Sequence, residues 1–415
     1  MTPRIFLNAK EEQEIMQGFP WVFDNEISSV KFEDEKKNVV QSSLKDCKVA
    51  DGTVVEVFAK GGAFLGTGVI NRKSKITVRL IGSEHADKIL EDTQSFYNKK
   101  IQDAYDLRKL HYNIHDSYRL IFAEADFIPG LICERYVDTK KNVYLVIQFL
   151  SLSCEVFRKE ILEALRKIIK PFGIYERSDA SVREKEGLEQ RSCWLGEKRE
   201  EVITIRENEI ELEVDLVRGQ KTGYFLDQKD NRAVVGKLCE KKRVLDTFTH
   251  TGAFGLNALK NGAKEVISVD ISQEAVDMVN RNIERNHAGA KMKAVCADVF
   301  DLLKEYEKNG EKFDVIILDP PAFTKSAKMI EKAYGGYKEI NLRAMRLLKE
   351  NGILVTCSCS HFFDSNVFYP MIMKAAEDSK KKVQILEKRG AGPDHPVLLG
   401  YPKSEYLKCA ICRVI

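Results

Sequence analysis

The hydrophobic pattern of residues 196–415 alternates regularly between strand-like and helix-like stretches. Five predicted strands, at 243–248, 264–270, 292–297, 313–319 and 353–358, alternate with predicted helices near 252–261, 273–287, 299–308, 334–350 and 364–379. Two further strand-like runs, 382–388 and 407–415, close the chain. The strands are continuously apolar, as in Val315 to Leu318, and a parallel sheet covered on both faces requires this. The pattern predicts a doubly wound α/β domain.

The first 83 residues show a different pattern. β-Branched runs such as Val54 to Ala59 and Ile76 to Leu80 are short and are joined by glycine-containing turns. This arrangement predicts a small β-barrel. Basic residues in or beside the last of these strands form either a solvated strand edge or an RNA-facing patch: Arg72, Lys73, Lys75 and Arg79.

Between these two regions the pattern mixes predicted helices with a strand at 143–150, which predicts a central α+β domain. The stretch 191–206 is charged and interrupted by glycine, and we expect it to be a linker. A chain of 415 residues is too long for a single ordinary core. The predicted domains are therefore 1–83, 84–195 and 196–415.

Composition narrows the class of protein. Hydrophobic residues make up 44% and charged residues 31%, which is typical of a globular chain and excludes a disordered one. The net charge is +3, so a nucleic-acid partner would have to be recruited by local basic patches. The ten cysteines are scattered, and no apolar run reaches the roughly 18 residues of a membrane span. We expect a soluble, cytoplasmic protein with reduced thiols, no membrane segment and no metal site.

Carboxylates lie at or just after the ends of the first three predicted strands of the C-terminal domain, at the sheet edge where such folds bind ligands. Asp246 leads into a turn in which Gly252 lets the backbone approach a ligand closely. Asp270 ends the second strand, where a carboxylate can accept hydrogen bonds from ribose, and Asp298 after the third can hold an adenine amine. Each aspartate alone could be a helix cap. Together they indicate an adenosine-containing cofactor, either NAD or S-adenosylmethionine (SAM).

The fourth strand ends in Asp319, Pro320 and Pro321, with Phe323 close behind. The prolines fix an extended backbone and hold the carboxylate at the strand end. A carboxylate beside an aromatic face suits the amide-like edge of a flipped nucleobase, although a rigid turn with a capping aspartate is the alternative. The combination favours SAM, because these residues have no role in an NAD dehydrogenase.

The fifth strand carries two cysteines. Strand alternation puts Cys357 and Cys359 on one face, with Cys359 nearer the carboxyl end and the crevice. A thiol at that point is a candidate nucleophile, because C5 of cytosine becomes reactive once a thiolate adds to C6. The alternative interpretation is a pair of core cysteines.

Taken together, these residues resemble the class I SAM-dependent methyltransferases that modify cytosine C5 in 23S ribosomal RNA and carry an N-terminal PUA domain. The resemblance covers nearly the whole chain, and its most specific part is the stretch Lys221 to Gln228. The Asp319-Pro320-Pro321 motif is less specific, because amino-group methyltransferases share it. The resemblance implies a PUA β-barrel that binds RNA, a central α+β domain, a Rossmann-like methyltransferase domain and a homodimer.

The resemblance also implies roles for individual residues, with SAM as the cofactor and 23S rRNA as the partner. The residues implied in catalysis are Cys359 and Asp319. Those implied in SAM binding are Tyr224, Asp246, Thr251, Gly252, Phe254, Asp270, Asp298 and Asp319. Those implied in substrate binding are Pro320, Pro321, Phe323, Arg72 and Lys73. Many other RNA cytosine-C5 enzymes carry a second cysteine in the region of Pro321, so product release here requires a different base.

Two other functions stay open at this point. Methylation of a purine nitrogen in rRNA would need the Asp319 to Phe323 segment and would not need Cys359. A ribosome-assembly protein could retain the fold and bind RNA without catalysis, although carboxylates at three successive strand ends argue against it. Analysis of the modified nucleoside separates the two enzymes, and a SAM titration tests the third function.

Overall fold

The computed structural model describes residues 1–220, 222–324 and 327–415. Lys221, the first residue of the most specific part of the resemblance, lies outside the described residues. The chain forms two compact units. The first contains residues 1–201, 215–224 and 393–404, and the second contains residues 202–214, 225–392 and 405–415. The divisions at residues 83 and 195 stay a prediction.

The N-terminal part of the first unit is a seven-stranded sheet. Its elements are β1 (Arg4–Leu7), α1 (Glu12–Met16), β2 (Trp21–Phe23), β3 (Ile27–Glu33), β4 (Val39–Ser42), β5 (Val54–Phe58), β6 (Phe64–Ile70) and β7 (Ile76–Gly82). The strand order is β2-β7-β6-β5-β1-β3-β4, and neighbours are antiparallel except for β1 and β5. Inward-facing residues of several strands, such as Ile5, Val57 and Val78, fill its core. The expected short strands of the first 83 residues are confirmed, and helix α1 was not expected.

The central part of the first unit is a five-stranded sheet with helices. Its strands are β8 (Tyr118–Phe122), β9 (Leu131–Val137), β10 (Val143–Phe149), β11 (Gly173–Ser178) and β12 (Arg191–Trp194), in the order β12-β11-β10-β9-β8. Its helices are α2 (Ala86–Glu91), α3 (Thr93–Lys109), α4 (Leu152–Val156), α5 (Arg158–Ile169) and α6 (Val182–Lys185). The predicted mixture of helix and strand is confirmed.

The stretch 191–206 is only in part the linker that we expected, because residues 195–201 connect β12 to the next strand and the boundary between the two units follows Glu201. Most of it is strand: β12 pairs with β11, and β13 (Val202–Glu207) pairs with β14 (Ile210–Asp215). Ile203 and Ile205 are buried on one face of β13, while charged residues alternate with them or lie close by. The high charge of this stretch therefore obscured a period-two pattern that a half-buried strand requires.

The second unit contains a seven-stranded sheet. Its strands are β15 (Arg243–Thr247), β16 (Glu265–Asp270), β17 (Met292–Cys296), β18 (Phe313–Leu318), β19 (Leu348–Ser358), β20 (Val383–Arg389) and β21 (Lys408–Val414). Its helices are α7 (Lys229–Lys237), α8 (Ala253–Lys260), α9 (Gln273–Arg285), α10 (Val299–Lys308), α11 (Ile330–Leu347) and α12 (Ser365–Ser379). The strand order is β17-β16-β15-β18-β19-β21-β20.

This order places the candidate residues at one edge of the sheet. The first five strands are parallel, and β21 runs antiparallel between β19 and β20. The order reverses between β15 and β18, where the connections leave in opposite directions and open a crevice at the carboxyl ends. The predicted doubly wound α/β domain is confirmed. Among residues 1–220, 222–324 and 327–415, no helix has both the length and the apolar character needed to cross a membrane.

Candidate active site

Asp246 anchors the loop that follows β15. Its carboxylate is fully buried, and its Oδ2 accepts hydrogen bonds from Thr249 Oγ1, Gly255 N and Ser268 Oγ. Burial raises the pKa of Asp246 to about 6. Its Oδ1 is buried and has no hydrogen-bond partner among the described residues. Asp246 therefore fixes the loop through its bonds with Thr249 and Gly255, and its Oδ1 can accept one further hydrogen bond.

The loop after β15 adopts an unusual backbone. Phe248, His250 and Gly252 all have positive φ angles, of 57°, 54° and 79°. Non-glycine residues in this left-handed region are strained, and such strain is concentrated at ligand-binding loops. A Cβ atom on Gly252 would lie 3.0 Å from Val279 Cγ1. Glycine at this position therefore permits both the turn and the close packing of α8.

Asp270 lies at the end of β16 and is half-buried. Its Oδ2 accepts a 3.0 Å hydrogen bond from His250 N, and its Oδ1 accepts one of 3.0 Å from Ser272 N. Each carboxylate oxygen can accept a second hydrogen bond. The carboxylate is thus held in one orientation and can accept a pair of hydroxyl donors.

Asp298 lies after β17 and is exposed. Its Oδ1 accepts hydrogen bonds from Phe300 N at 2.7 Å and from Asp301 N at 3.4 Å, which makes it the N-cap of α10. The capping role, which the sequence left as an alternative, is therefore present. The contact between Asp298 and an adenine amine stays a prediction.

The carboxylate of Asp319 is held by a glutamine that lies 91 residues earlier in the chain. Gln228 is buried, and its Nε2 donates a 3.0 Å hydrogen bond to Asp319 Oδ1. Asn231 Nδ2 in turn donates a 2.7 Å bond to Gln228 Oε1. Pro320 is buried and Pro321 is exposed. Gln228 was not among the predicted site residues, although it ends the Lys221 to Gln228 stretch.

Phe323 belongs to an aromatic cluster beside Asp319. Its ring centroid lies 4.5 Å from that of Tyr337, 5.9 Å from that of Phe300 and 6.4 Å from that of Phe248. Burial raises the pKa of Tyr337 to about 12, so its hydroxyl stays neutral. That hydroxyl accepts hydrogen bonds from Phe323 N and Ser358 Oγ. The cluster fixes the segment after β18 against the end of β19.

The two cysteines of the fifth strand have different environments. Cys357 is fully buried and lies opposite Cys409 in the antiparallel pairing of β19 and β21. The hydrogen bond with the Cys409 thiol, together with burial, raises the pKa of Cys357 well above its ordinary value. Cys359 is half-buried and follows the last residue of β19. Of the two thiols, Cys359 is thus the one at the sheet edge that carries Asp270 and Asp319.

Three residues implied in SAM binding are almost fully buried. Thr251 and Phe254 lie in the second unit, where Asn282 Nδ2 donates a 2.9 Å bond to the Thr251 carbonyl. Tyr224 lies in the first unit. Their roles toward the cofactor stay predictions. Among residues 1–220, 222–324 and 327–415, no group of three or more His, Cys, Asp or Glu side chains is arranged to hold a metal ion.

Three of the four basic residues predicted for a strand edge or patch are exposed, namely Arg72, Lys73 and Lys75, and the fourth is not. Arg72 and Lys73 are exposed, and the Arg72 backbone and Nε both donate to Asp51 Oδ1. Arg79 is buried, so its expected place on a solvated edge or RNA-facing patch is wrong. Its guanidinium lies 3.1 Å from Glu124 and 2.9 Å from Glu186, because strand alternation turns it inward from β7.

Comparison with known proteins supports an assignment for the whole chain. The family described as S-adenosylmethionine-dependent methyltransferase matches residues 146–398, and a PUA-like domain matches residues 5–82. Proteins named "Ribosomal RNA large subunit methyltransferase I" from Aliivibrio fischeri and Photobacterium profundum are each 39% identical, over the full length of both chains. The Aeromonas salmonicida protein of the same name is 38% identical over the full length.

Solved structures show the same fold. A Streptococcus mutans protein assigned as a SAM-dependent methyltransferase superposes with a TM-score of 0.79 and 24% identity, over all of both chains. A crystal structure of a methyltransferase complexed with SAH gives the same TM-score, identity and coverage. At this identity the likeness shows the fold alone, and it confirms the predicted Rossmann-like domain.

The residues at the sheet edge fit SAM. The unpartnered Asp246 Oδ1, the oriented Asp270 carboxylate and the left-handed turn at Gly252 together offer acceptors and close backbone approach to an adenosine group. SAM, which the resemblance implied, is the cofactor. The chain belongs to the family of S-adenosylmethionine-dependent methyltransferases that carry an N-terminal PUA-like domain.

Proposed function

We propose that the protein methylates C5 of a cytosine in 23S rRNA through a covalent bond between Cys359 and C6. The full-length relatives are named ribosomal RNA large subunit methyltransferases, and the PUA-like domain supports an RNA substrate. The observation that carries the C5 chemistry is the position of Cys359, a half-buried thiol one residue beyond β19. Purine-nitrogen methylation would give no role to that thiol.

The proposed reaction begins with the thiolate. SAM supplies the methyl group as an electrophilic carbon on its sulfonium centre. The Cys359 thiolate forms the Sγ–C6 bond, and the electron pair of the C5–C6 double bond becomes available at C5. As the C5–methyl bond forms, the bond between the methyl carbon and the sulfonium sulfur would break, and its electron pair would stay on sulfur in the departing thioether. A base then takes the C5 proton. The electron pair of the broken C–H bond then expels the thiolate and restores the aromatic ring.

Asp319 orients the base in this proposal. The hydrogen bond from Gln228 fixes its carboxylate, and an oriented carboxylate can accept a hydrogen bond from the exocyclic amine of cytosine. The base must enter unstacked, because C5 chemistry is inaccessible inside a helix. Phe323, beside Asp319, offers part of an aromatic face at this point, and Pro320 and Pro321 keep the segment extended.

The remaining assignments in this proposal concern SAM binding, RNA contact, the oligomeric state and the location. We assign SAM binding to Tyr224, Asp246, Thr251, Gly252, Phe254, Asp270, Asp298 and Asp319. We assign RNA contact outside the target base to Arg72 and Lys73 of the PUA-like domain. A homodimer and a cytoplasmic location complete the proposal, and sedimentation of the purified protein checks the dimer.

Mapping of rRNA modifications tests the proposed function. The 23S rRNA of a strain lacking the gene is compared with that of its parent by mass spectrometry of nucleosides. One 5-methylcytidine should be missing from the deletion strain and should return with the wild-type gene. Loss of an N-methylated purine instead would replace the proposal with nitrogen methylation. An unchanged set of methylated nucleosides would contradict both enzyme functions.

A further inference from the structure

A buried lysine lies beside the end of β19. Lys408 is the first residue of β21 and pairs with Ser358 in the antiparallel register. The residue is only 4% exposed. Its Nζ donates hydrogen bonds of 2.6 Å to the Ser360 carbonyl and 2.7 Å to the Tyr406 carbonyl. The ammonium is therefore anchored at a fixed point rather than free in solvent.

Lys408 contacts the residues on both sides of Cys359 in the sequence. Lys408 pairs with the residue before Cys359, and its ammonium bonds the carbonyl of the residue after it. Burial lowers the pKa of Lys408 to about 8, although negative charge on Cys359 acts in the opposite direction. At pH 7 most of the lysine is therefore protonated. A buried ammonium costs desolvation energy, and two neutral carbonyl partners offset only part of it.

Other titratable groups face this pair. Asp364 and Glu405 are exposed acids that also raise the pKa of Lys408. Burial raises the pKa of Tyr337, negative charge on Cys359 acts in the same direction, and the Tyr337 hydroxyl therefore stays neutral. On the side of β21, the His361 ring lies 5.3 Å from that of Tyr406, whose hydroxyl donates to Asp227 Oδ2.

We propose that Lys408 is a positioning residue for the nucleophile, and that its anchored ammonium stabilises the thiolate form of Cys359. A positive charge near a cysteine favours the thiolate, which is the form that attacks. Cys357 has no such stabilisation in this proposal, because its buried thiol faces Cys409 and its raised pKa keeps it neutral. The two thiols thus differ in charge as well as in access. The inference rests on the proposed function only for the use of Cys359, because the thiolate is formed in the free enzyme.

The test measures thiol alkylation as a function of pH in the full-length protein without RNA or SAM. Iodoacetamide is the probe, and mass spectrometry follows the peptide that contains Cys359 in a Cys357→Ala background, because Cys357 would lie on the same peptide. Wild type should show an inflection below the ordinary thiol value of about 8.5. Lys408→Met should raise the inflection by about one pH unit and slow alkylation at pH 7 about tenfold.

Two further variants separate charge from packing. Lys408→Gln removes the charge but can still donate to a carbonyl, and it should behave like Lys408→Met. Lys408→Arg keeps a positive charge and should retain the low inflection. Thermal unfolding and SAM affinity report whether each variant is folded. A neutral variant that is folded and has the wild-type inflection would overturn the proposal. A wild-type inflection at or above about 8.5 would overturn it without any variant.

The outcome is independent of the proposed function. If 5-methylcytidine is made but the pH of the Cys359 inflection is the same with and without a charge at position 408, the lysine assignment alone fails. If a different nucleoside is made, the cytosine-C5 assignment fails whatever the alkylation shows.

Discussion

Replacement of Asp270 by alanine should weaken SAM binding strongly. The wild-type carboxylate is held by His250 N and Ser272 N, each at 3.0 Å, and each oxygen can accept one ribose hydroxyl. Hydrogen bonds to a charged group contribute about 1.5–3 kcal/mol each. Because Asp270 is half-buried, the lower value applies, and two bonds give about 3 kcal/mol, or roughly 150-fold in Kd.

The substitution also removes two backbone hydrogen bonds, so the free energy of unfolding should fall by about 1–3 kcal/mol. Calorimetric titration with SAM is therefore performed well below the Tm of the variant. The matched control is Asp277→Ala, which removes an exposed carboxylate of α9 that accepts a 2.7 Å bond from Gln273. The control should bind SAM like wild type. If folded Asp270→Ala also binds SAM like wild type, Asp270 is not the ribose ligand.

Three other substitutions test separate parts of the structure. Lys73→Glu should weaken RNA binding and reduce the salt dependence of log K by about 1 without changing SAM affinity, as gel shifts between about 50 and 200 mM salt and calorimetry would show. The raised pKa of Asp246, about 6, means that the folded protein loses stability as pH rises from about 4 to 6. Asp246→Asn should remove this loss in urea unfolding, and an unchanged pH slope would contradict the assignment. Gly252→Ala forces a side chain into a left-handed residue and against Val279, and it should cost about 1–2 kcal/mol of stability by thermal unfolding.

The sheet of the second unit was predictable because its signals are local. Each buried parallel strand is a continuous apolar run, so β18 at Phe313–Leu318 agrees with the predicted 313–319 within one residue. The fifth strand begins earlier than predicted, at Leu348, because α11 ends at Leu347 and β19 follows it directly. Local charge misled the prediction at 191–206, where charged residues obscured the inward residues Ile203 and Ile205.

The contacts that define the candidate site depend on long-range pairing. Gln228 bonds Asp319 across 91 residues, and Lys408 bonds Ser360 across 48 residues. Arg79 likewise forms ion pairs with Glu124 and Glu186, which lie far from it in the sequence. Periodicity specifies which face of an element a residue occupies, but it does not specify which element packs on that face. The position of Cys359 at the sheet edge was therefore predictable, and its lysine neighbour was not.

Covalent trapping on modified RNA tests the central claim most directly. RNA that carries 5-fluorocytosine at the target lacks the C5 proton, so the Sγ–C6 bond cannot be released after methyl transfer. Wild type and Cys357→Ala should each give a protein–RNA band that survives denaturation, and Cys359→Ala should give none. A band that persists in Cys359→Ala but is lost in Cys357→Ala would reverse the assignment of the nucleophile. Methylation of unmodified RNA with no trapped band in any variant would contradict the C5 mechanism.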